Sequence, residues 1–160
     1  MADFKTMATE VGGLLKEAGQ TISVAESSSG GLVSAALLAV PGASAYFRGG
    51  GACYTGDAKK ILMAVSEEAM GEARAATETH AINLARAARE RLDADWGIGE
   101  TGAAGPTGNR YGDPPGHTCI GIVGPDVERA ITIATGSDNR GENMEAFAVA
   151  ALDLLADCLR

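Results

Sequence analysis

The sequence predicts an α/β protein with three layers, in which helices cover both faces of a mixed, largely parallel sheet. Two observations predict this class. Helical patterns alternate with short apolar segments in the first part of the chain, which implies parallel strands joined by crossover helices. Two later apolar segments, 117–123 and 129–134, are separated by a short turn and indicate an antiparallel hairpin. We expect one domain over residues 1–160.

The N-terminal part predicts a helix, a strand and a second helix. Apolar residues recur at helical spacing over residues 4–18, and Gly19 follows as a stop signal. Polar and apolar side chains alternate over residues 21–25, and enough of them are β-branched to predict a strand. Residues 31–40 have a helical pattern that a Pro-Gly pair ends.

The middle of the chain predicts one strand and further helices. Residues 52–54 lie between turn signals inside the glycine-rich stretch 49–55, which indicates a strand that another backbone approaches closely. A short helix begins at Asp57. The stretch 66–92 is rich in Ala, Glu and Arg, which predicts one long helix or two helices that join near residues 77–79.

The C-terminal part predicts a strand, a loop, the hairpin and a last helix. The strand covers residues 96–100. The stretch 101–116 contains five Gly and three Pro, which is too many for a regular element and indicates a structured loop. After the hairpin, Ser137 or Asp138 is expected to cap a helix that runs through Leu155.

The charge balance argues against two classes of partner. The formal net charge is −8 and the isoelectric point is near 4.7, whereas nucleic acids and anionic membranes select clustered positive charge. No stretch approaches the roughly 20 apolar residues of a membrane span, and residues 1–20 carry acidic side chains where a signal peptide has an apolar core. We therefore expect a soluble, cytoplasmic protein with no nucleic-acid or membrane partner.

The cysteines and histidines do not form a metal-ligand pattern. Cys53, Cys119 and Cys158 are widely spaced and form no CxxC pair, and His80 and His117 are the only histidines. This spacing does not support a zinc or redox site. We expect buried thiols and neither a metal nor another cofactor.

The segment AESSSGG at residues 25–31 lies between a predicted strand and a predicted helix. The first amides of a helix lack internal partners and carry the positive end of its dipole, so this turn suits acyl chemistry or anion binding. Ser and Gly are also ordinary capping residues, and the segment by itself favours that interpretation. A serine nucleophile would need a base.

Lys59, in the segment CYTGDAK, is a candidate for that base. A lysine in a partly buried pocket loses its proton more easily, and the hydroxyl of Tyr54 is positioned in sequence to relay protons. The alternative is a solvated helix residue, which is the commoner situation for lysine.

Four motifs together resemble those of one family. They are AESSSGG at 25–31, PGASAYFRGG at 41–50, CYTGDAK at 53–59 and TGAAGP at 101–106. They occur in the same order and at similar spacing in the CinA C-terminal domain family, and the resemblance covers nearly the whole chain. Stand-alone members include nicotinamide-nucleotide amidases. The resemblance therefore implies hydrolysis of nicotinamide mononucleotide to nicotinic acid mononucleotide and ammonia, in pyridine-nucleotide recycling, without a metal.

The resemblance also implies roles for residues at the matching positions. It makes Ser27 the nucleophile, Lys59 the base and Tyr54 the hydrogen-bonding companion of that base. The family's usual first motif is AESCTGG, so its cysteine is Ser28 here. Backbone amides at 29–31 and 102–104 are expected to receive the oxyanion of a tetrahedral intermediate. The substrate-binding residues expected are Ser29, Gly30, Gly31, Thr101, Gly102, Ala103, Ala104, Arg110 and His117.

The long loop departs from the family pattern. The family usually continues as GGSEEKPVGT, whereas this chain has GNRYGDPPGHT at 108–118. A lysine of the usual pattern falls on Asp113, while Arg110, Tyr111 and His117 are introduced. If that lysine holds a substrate phosphate, Arg110 would replace it with a bidentate guanidinium.

Three functions stay open at this point. They are an amidase for nicotinamide mononucleotide, an amidase for another small amide or nucleotide, and a catalytically silent ligand-binding or interaction protein. Retention of Ser27, Tyr54 and Lys59 favours an enzyme, whereas Asp113 favours the second or third function over the first. The expected partner is a small nucleotide substrate, and the resemblance implies a homo-oligomer.

Overall fold

The computed structural model describes residues 3–160, and its secondary structure follows the predicted order. The predicted domain also includes residues 1 and 2, which lie outside the described range. The α-helices are α1 Phe4–Ala18, α2 Leu32–Leu38, α3 Gly56–Met63, α4 Glu67–Glu72, α5 Glu78–Arg91 and α6 Arg140–Leu159. The strands are β1 Ile22–Glu26, β2 Phe47–Ala52, β3 Trp96–Ala103, β4 His117–Gly124 and β5 Val127–Ala134.

The five strands form one mixed sheet in the order β2-β1-β3-β4-β5. Strand β1 pairs in parallel with β2 and β3, while β4 pairs antiparallel with β3 and β5. Every strand except β4 therefore has the same direction, and the predicted mixed, largely parallel sheet is confirmed. Strand β2 lies on one side of β1 in the sheet, and the chain then crosses to β3 on the other side of β1. The carboxyl ends of β1 and β3 thus flank a topological switch point, where ligands bind in open α/β sheets.

The two faces of the sheet are covered by different helices, which confirms the three layers. The alternation along β1 sends Ile22 and Val24 into the large apolar core formed with α1, α2 and α6. Ala25 points to the opposite face and packs with residues of α3 and α5. Each face of β1 is therefore covered, and its five residues are all buried.

Helix α5 lies directly on glycines of the sheet. A Cβ atom added to Gly97 would be 2.0 Å from the carbonyl oxygen of Ala85, and one added to Gly99 would be 2.1 Å from that of Ala81. An added Cβ on Gly121 of β4 would lie 2.7 Å from the Ala81 carbonyl carbon. No side chain fits at these positions, so the glycines set how closely α5 approaches the sheet.

The structure moves one predicted strand in the middle of the chain and decides between two predicted helix arrangements. The strand predicted at 52–54, within the glycine-rich stretch 49–55, instead covers Phe47–Ala52, because the glycine-rich segment itself pairs with β1. The stretch 66–92 forms two helices, which is the second of the two predicted arrangements. Helix α4 ends at Glu72, and Thr77 caps α5 by accepting a hydrogen bond from the amide of His80.

Two further boundaries differ in the C-terminal part. Strand β3 continues through Ala103, so residues 101–103 pair with β4 instead of opening the loop. The cap of α6 is Asn139, whose side chain accepts from the amide of Glu142, rather than Ser137 or Asp138. The predicted hairpin is confirmed, with β4 and β5 joined after Gly124.

The contact of α5 with the sheet makes Gly99→Ala a test of the packing. The added methyl group overlaps the backbone of α5, so we expect the free energy of unfolding to fall by about 1–3 kcal/mol in chemical denaturation. Gly13→Ala is the matched control, because Gly13 is an exposed residue of α1 with nothing within 4 Å of an added Cβ. That change should stabilise the protein by about 0.5–1 kcal/mol. Equal effects of the two substitutions would contradict the proposed packing.

Candidate active site

Two buried carboxylates hold the turn between β1 and α2. Glu26 is the last residue of β1 and Glu100 lies in the neighbouring β3, and both side chains are fully buried. The register pairs Ala25 with Gly99, so both glutamates follow one step later at the same end of the sheet. A buried carboxylate is costly unless donors surround it, and the turn AESSSGG supplies most of these donors.

The Glu26 carboxylate caps α2 from within the preceding strand. It accepts hydrogen bonds from the amides of Gly31 at 2.9 Å, Val33 at 3.1 Å and Ser34 at 2.9 Å, and from the hydroxyls of Ser29 at 2.7 Å and Ser34 at 2.9 Å. The N-cap residue itself is Gly31, which has no side chain to perform this function. The orphan amides of the first turn of α2 are therefore used internally.

The Glu100 carboxylate holds the other half of the turn. It accepts from the amides of Ser27 at 3.0 Å and Ser29 at 2.8 Å, from the hydroxyls of Ser29 at 2.9 Å and Thr118 at 2.7 Å, and from the hydroxyl of Ser28. Ser28 stands where the family usually has cysteine. Its hydroxyl is a stronger donor than a thiol, which explains the serine beside a buried carboxylate.

Ser27 is fixed through its backbone, while its side chain is not engaged. Only 7% of the residue is exposed, and its amide donates to Glu100. Among the described residues no hydrogen bond involves the Ser27 Oγ. Gly30 and Gly31 complete the turn with φ of 69° and 102°, a left-handed conformation that side chains disfavour.

Lys59 of α3 is buried, with 4% of the residue exposed. Its Nζ lies 2.9 Å from Nε2 of His80. Burial lowers the pKa of Lys59, and the nearby Glu100 carboxylate and the Cys53 thiol oppose this effect. A buried lysine of this kind gives up its proton more easily than an exposed one.

His80 lies in the first turn of α5 and was not expected in the site. Its Nδ1 is 3.1 Å from the carbonyl oxygen of Ala73. A carbonyl only accepts, so we assign the proton to Nδ1, and Nε2 then accepts from Lys59. Burial and, second, the charge of Lys59 lower the pKa of His80 to about 4.

Tyr54 has a different environment from the one expected. It is 62% exposed, and no hydrogen bond in residues 3–160 joins it to Lys59. The residue that forms a hydrogen bond with the Lys59 Nζ is His80 instead. The expected contact between Tyr54 and Lys59 is therefore absent from this structure, because Tyr54 lies beyond the end of β2 on the surface.

The amides expected to bind an oxyanion are partly used. Those of Ser29 and Gly31 donate to Glu100 and Glu26, and that of Gly30 donates to the Ser27 carbonyl at 3.1 Å. In the described chain, the amide of Ser28 makes no hydrogen bond. The turn thus offers one amide rather than the three expected at 29–31.

The TGAA segment of β3 is mainly structural. The Thr101 hydroxyl accepts from the amide of Ala76 at 2.9 Å, and Gly102 and Ala103 pair with β4. The carbonyl of Ala104 accepts from the Asn143 side chain at 2.8 Å. Ala104 is the first residue beyond the strand, and its amide makes no hydrogen bond within residues 3–160.

Asp113, at the position of the family's lysine, is paired with a cation. Its carboxylate accepts from Arg74 at 2.8 Å and from Asn109 at 2.8 Å. The Arg74 hydrogen bond, followed by that of Asn109, lowers the pKa of Asp113. Its Oδ2 also lies 3.8 Å from Nε2 of His117, which is 3.0 Å from the Ala76 carbonyl oxygen.

Arg110 lies on the exposed side of the same loop. Its Nη2 donates to the Tyr111 hydroxyl at 2.8 Å. The guanidinium carbons of Arg110 and Arg74 lie 5.0 Å and 4.7 Å from the centre of the Tyr111 ring. Two arginines therefore lie close to one tyrosine ring, and the second, Arg74, comes from the segment before α5 and was not predicted.

Four residues of the site were missed from the sequence, namely Glu26, Glu100, His80 and Arg74. A signal existed for the two glutamates, because each ends a strand pattern whose other residues are apolar or small. A carboxylate in that position has to find donors. His80 and Arg74 carry no comparable local signal, since their partners are distant in sequence.

Within residues 3–160, no helix is long and apolar enough to cross a membrane. The same residues contain no group of three or more His, Cys, Asp or Glu side chains arranged to hold a metal ion.

Comparison with known proteins identifies the relatives of the chain. A family model described as the CinA C-terminal domain matches residues 4–159. A CinA-like protein of Gloeobacter violaceus is 39% identical over 155 residues, covering 96% of this chain and 36% of that protein. A CinA-like protein of Chlorobium limicola is 39% identical over 151 residues, covering 92% and 35%. The chain thus spans about a third of the length of these curated relatives.

Solved structures share the fold. A competence/damage-inducible protein of Agrobacterium tumefaciens has a TM-score of 0.90 at 28% identity, over 99% of this chain and 96% of that chain. A CinA superfamily protein of Enterobacter cloacae has a TM-score of 0.92 at 24% identity, over 100% of this chain and 94% of that chain. The second likeness concerns the fold alone.

The donors around Glu100 make Glu100→Ala strongly destabilising. The change leaves four buried donors without their acceptor, while the Ser29 hydroxyl keeps Glu26, so we expect the free energy of unfolding to fall by about 3 kcal/mol or more in urea denaturation. Glu68→Ala is the control, because Glu68 is exposed and makes no hydrogen bond in the described residues; its effect should stay within about 0.5 kcal/mol. A loss below about 1 kcal/mol for Glu100→Ala would contradict the network.

The lowered pKa of His80 predicts a pH dependence of stability. Unfolded histidine binds a proton below about pH 6.5, whereas folded His80 does so only near 4. The unfolded state therefore binds more protons in this window, and stability falls with falling pH until the folded pKa is passed. We expect wild type to lose about 3 kcal/mol more than His80→Gln between pH 6.5 and 4. Parallel losses in the two proteins, measured by urea denaturation, would contradict the shift.

Proposed function

We propose that this chain, which belongs to the CinA C-terminal domain family, is an amidohydrolase that converts nicotinamide mononucleotide to nicotinic acid mononucleotide and ammonia. The observation that carries the proposal is a serine with an unengaged hydroxyl at a rigid strand-to-helix turn, together with a buried lysine whose lowered pKa is affected by Glu100, the carboxylate that accepts from the amide of this serine. Serine hydrolases need this combination, because the hydroxyl is a weak nucleophile without a base.

The positions of the two residues follow from the sheet. Ser27 follows β1 directly, and Lys59 belongs to the helix that follows β2. These strands are parallel neighbours, so their carboxyl ends lie at the same edge. The amide of Cys53 donates to the Glu26 carbonyl at 2.7 Å. This hydrogen bond joins the ends of β1 and β2, ahead of Ser27 in one segment and of Lys59 in the other.

The chemistry assigned to these residues balances without a cofactor. Lys59 in its neutral form takes the hydroxyl proton as the Ser27 Oγ attacks the carboxamide carbon. The tetrahedral intermediate loses ammonia, which receives that proton, and an acyl-serine ester remains. Water then attacks the ester while Lys59 accepts one of its protons. Lys59 returns this proton to the Ser27 Oγ as the acyl–oxygen bond breaks, so that the carboxylic acid leaves and Ser27 is restored.

Two backbone amides support the proposal as oxyanion donors. Those of Ser28 and Ala104 make no hydrogen bond in the described structure, and they lie in the segments that follow β1 and β3. Donors at the carboxyl ends of neighbouring strands can converge on one oxygen. The amides of Ser29 and Gly31 retain a structural function because the carboxylates use them.

The nucleotide end of the substrate is assigned to the loop. Arg110 and Arg74 offer guanidinium groups at 5.0 Å and 4.7 Å from the centre of the Tyr111 ring, an arrangement suited to a phosphate and a flat ring. The pairing of Arg74 with Asp113 offsets the acidic side chain that replaces the family's lysine.

One observation favours a second candidate, a ligand-binding protein without catalysis. In the described residues the hydrogen bond of the Lys59 Nζ goes to His80, and none joins it to Ser27. In that case the turn and the loop would bind a nucleotide that is never hydrolysed. An amidase for another small carboxamide is the remaining alternative, and the altered loop favours it.

Ammonia release from nicotinamide mononucleotide tests the proposal. We expect turnover by wild type and a fall of about 1,000-fold or more in kcat for Ser27→Ala, because a nucleophile has no substitute. Ser44→Ala is the control, since Ser44 is an exposed hydroxyl in the 3-10 turn after α2. Unchanged turnover in Ser27→Ala would exclude the nucleophile.

The lysine is tested in the same assay. Lys59→Met should lower kcat by about 100-fold or more, whereas Lys60→Met, which alters the next and more exposed lysine, should not. Turnover of other carboxamides in place of nicotinamide mononucleotide would favour the second amidase. No turnover, together with stabilisation by the nucleotide, would favour the silent binding protein.

A further inference from the structure

We infer that His80 is a positioning residue for Lys59, which it holds through its Nε2 so that the lysine can serve Ser27. The inference rests on the proposed function, in which Lys59 is the base. Neither the family motifs nor the sequence pattern assigned His80 a role. The contact that carries it is the 2.9 Å hydrogen bond between Nε2 and the Lys59 Nζ.

The orientation of His80 is itself fixed from two sides. Its Nδ1 faces the Ala73 carbonyl at 3.1 Å, and its backbone amide donates to the Thr77 hydroxyl at 3.2 Å. Ala73 and Thr77 flank the segment between α4 and α5. The imidazole therefore keeps Nε2 as an acceptor that points at Lys59, and only 2% of His80 is exposed to water that would compete.

The other groups near Lys59 do not offer it an equivalent acceptor. Glu100 of β3 and Cys53 after β2 lie close enough to affect the pKa of Lys59. The Glu100 carboxylate, however, already accepts from five donors of the turn and β4. The Cys53 thiol faces the Gly51 carbonyl at 3.6 Å. In the described residues, His80 is the hydrogen-bond partner of the Nζ.

A neutral imidazole suits a lysine that must lose its proton. A carboxylate partner would attract the ammonium and hold the proton on it, since an opposite charge favours the charged form. Neutral His80 orients one N–H of Lys59 without adding negative charge. In the deprotonated lysine, donation of one N–H to His80 leaves the nitrogen lone pair available to accept a proton.

The test compares His80→Gln with His80→Leu. The glutamine oxygen can replace Nε2 as an acceptor, whereas leucine fills similar space and accepts nothing. For His80→Leu we expect kcat for ammonia release to fall about 100-fold with little change in KM, because a misplaced base costs this much. The acidic limb of the kcat/KM profile should also move to lower pH, since the protonated lysine loses its acceptor. His80→Gln should restore both.

A merely structural role predicts different results. It would lower the amount of folded enzyme or kcat without moving the pH limb, and glutamine would not rescue the loss. Either result would overturn the inference. Thr79→Leu is the control for a bulky apolar change in the same turn, because Thr79 is exposed. If His80→Leu does not fold, His80→Asn replaces it, since its shorter side chain leaves the Nζ out of reach.

A second measurement separates this inference from the proposed function. The Lys59 side chain can be titrated directly by NMR in wild type and in both variants. A lower pKa in His80→Leu that returns in His80→Gln supports the contact even if no carboxamide is hydrolysed, in which case the amidase proposal alone fails. An identical Lys59 titration in wild type and His80→Leu overturns the inference whatever the activity.

Discussion

The site depends on one constraint, which is that two carboxylates are buried side by side at the end of the sheet. Glu26 and Glu100 are fully buried, and neither is paired with a lysine or arginine in the described residues. Carboxylates in this situation are tolerated only when hydrogen bonds replace water. The backbone between β1 and α2 bends so that its amides and hydroxyls provide them, and the Ser29 hydroxyl lies within 2.9 Å of both side chains. Ser27 is held in place as a consequence, because its own amide is one of these donors.

A second constraint acts from the other face of the sheet. The glycines of β3 and β4 let α5 approach until its backbone touches the strands. The first turn of α5 carries His80, so the depth of this packing also sets where Nε2 meets Lys59. A bulkier residue at Gly99 would lift the helix at Ala81, directly after His80. The position of the lysine therefore depends on small residues that do not touch it.

Local sequence patterns correctly predicted the elements whose position depends on neighbouring residues alone. The bounds of α1 match its apolar spacing and Gly19, and the hairpin of β4 and β5 matches its turn. The strand predicted within residues 49–55 lies earlier, over Phe47–Ala52, because pairing with β1 decides where a glycine-rich strand lies, and no local pattern identifies that partner. The same limit applies to the site. Ser27 and Lys59 belong to recognisable motifs, whereas Glu100 meets Ser27 across 73 residues and His80 meets Lys59 across 21. Such contacts exist only after the sheet has formed.

The loop shows why a charge reversal in sequence is not a charge reversal in the site. Asp113 replaces a lysine of the family pattern, yet its carboxylate is bound by Arg74, and the pair is electrically neutral. The same hydrogen bond lowers the pKa of Asp113, and the Arg74 guanidinium carbon lies 4.7 Å from the centre of the Tyr111 ring. The Arg110 guanidinium carbon lies 5.0 Å from the centre of that ring, with no carboxylate partner within the described residues. Because Arg74 is neutralised by Asp113, Arg110 carries the uncompensated positive charge beside the ring. Asp113 therefore adds no unpaired negative charge to the loop, which is compatible with the anionic substrate group that the proposed function assigns to it.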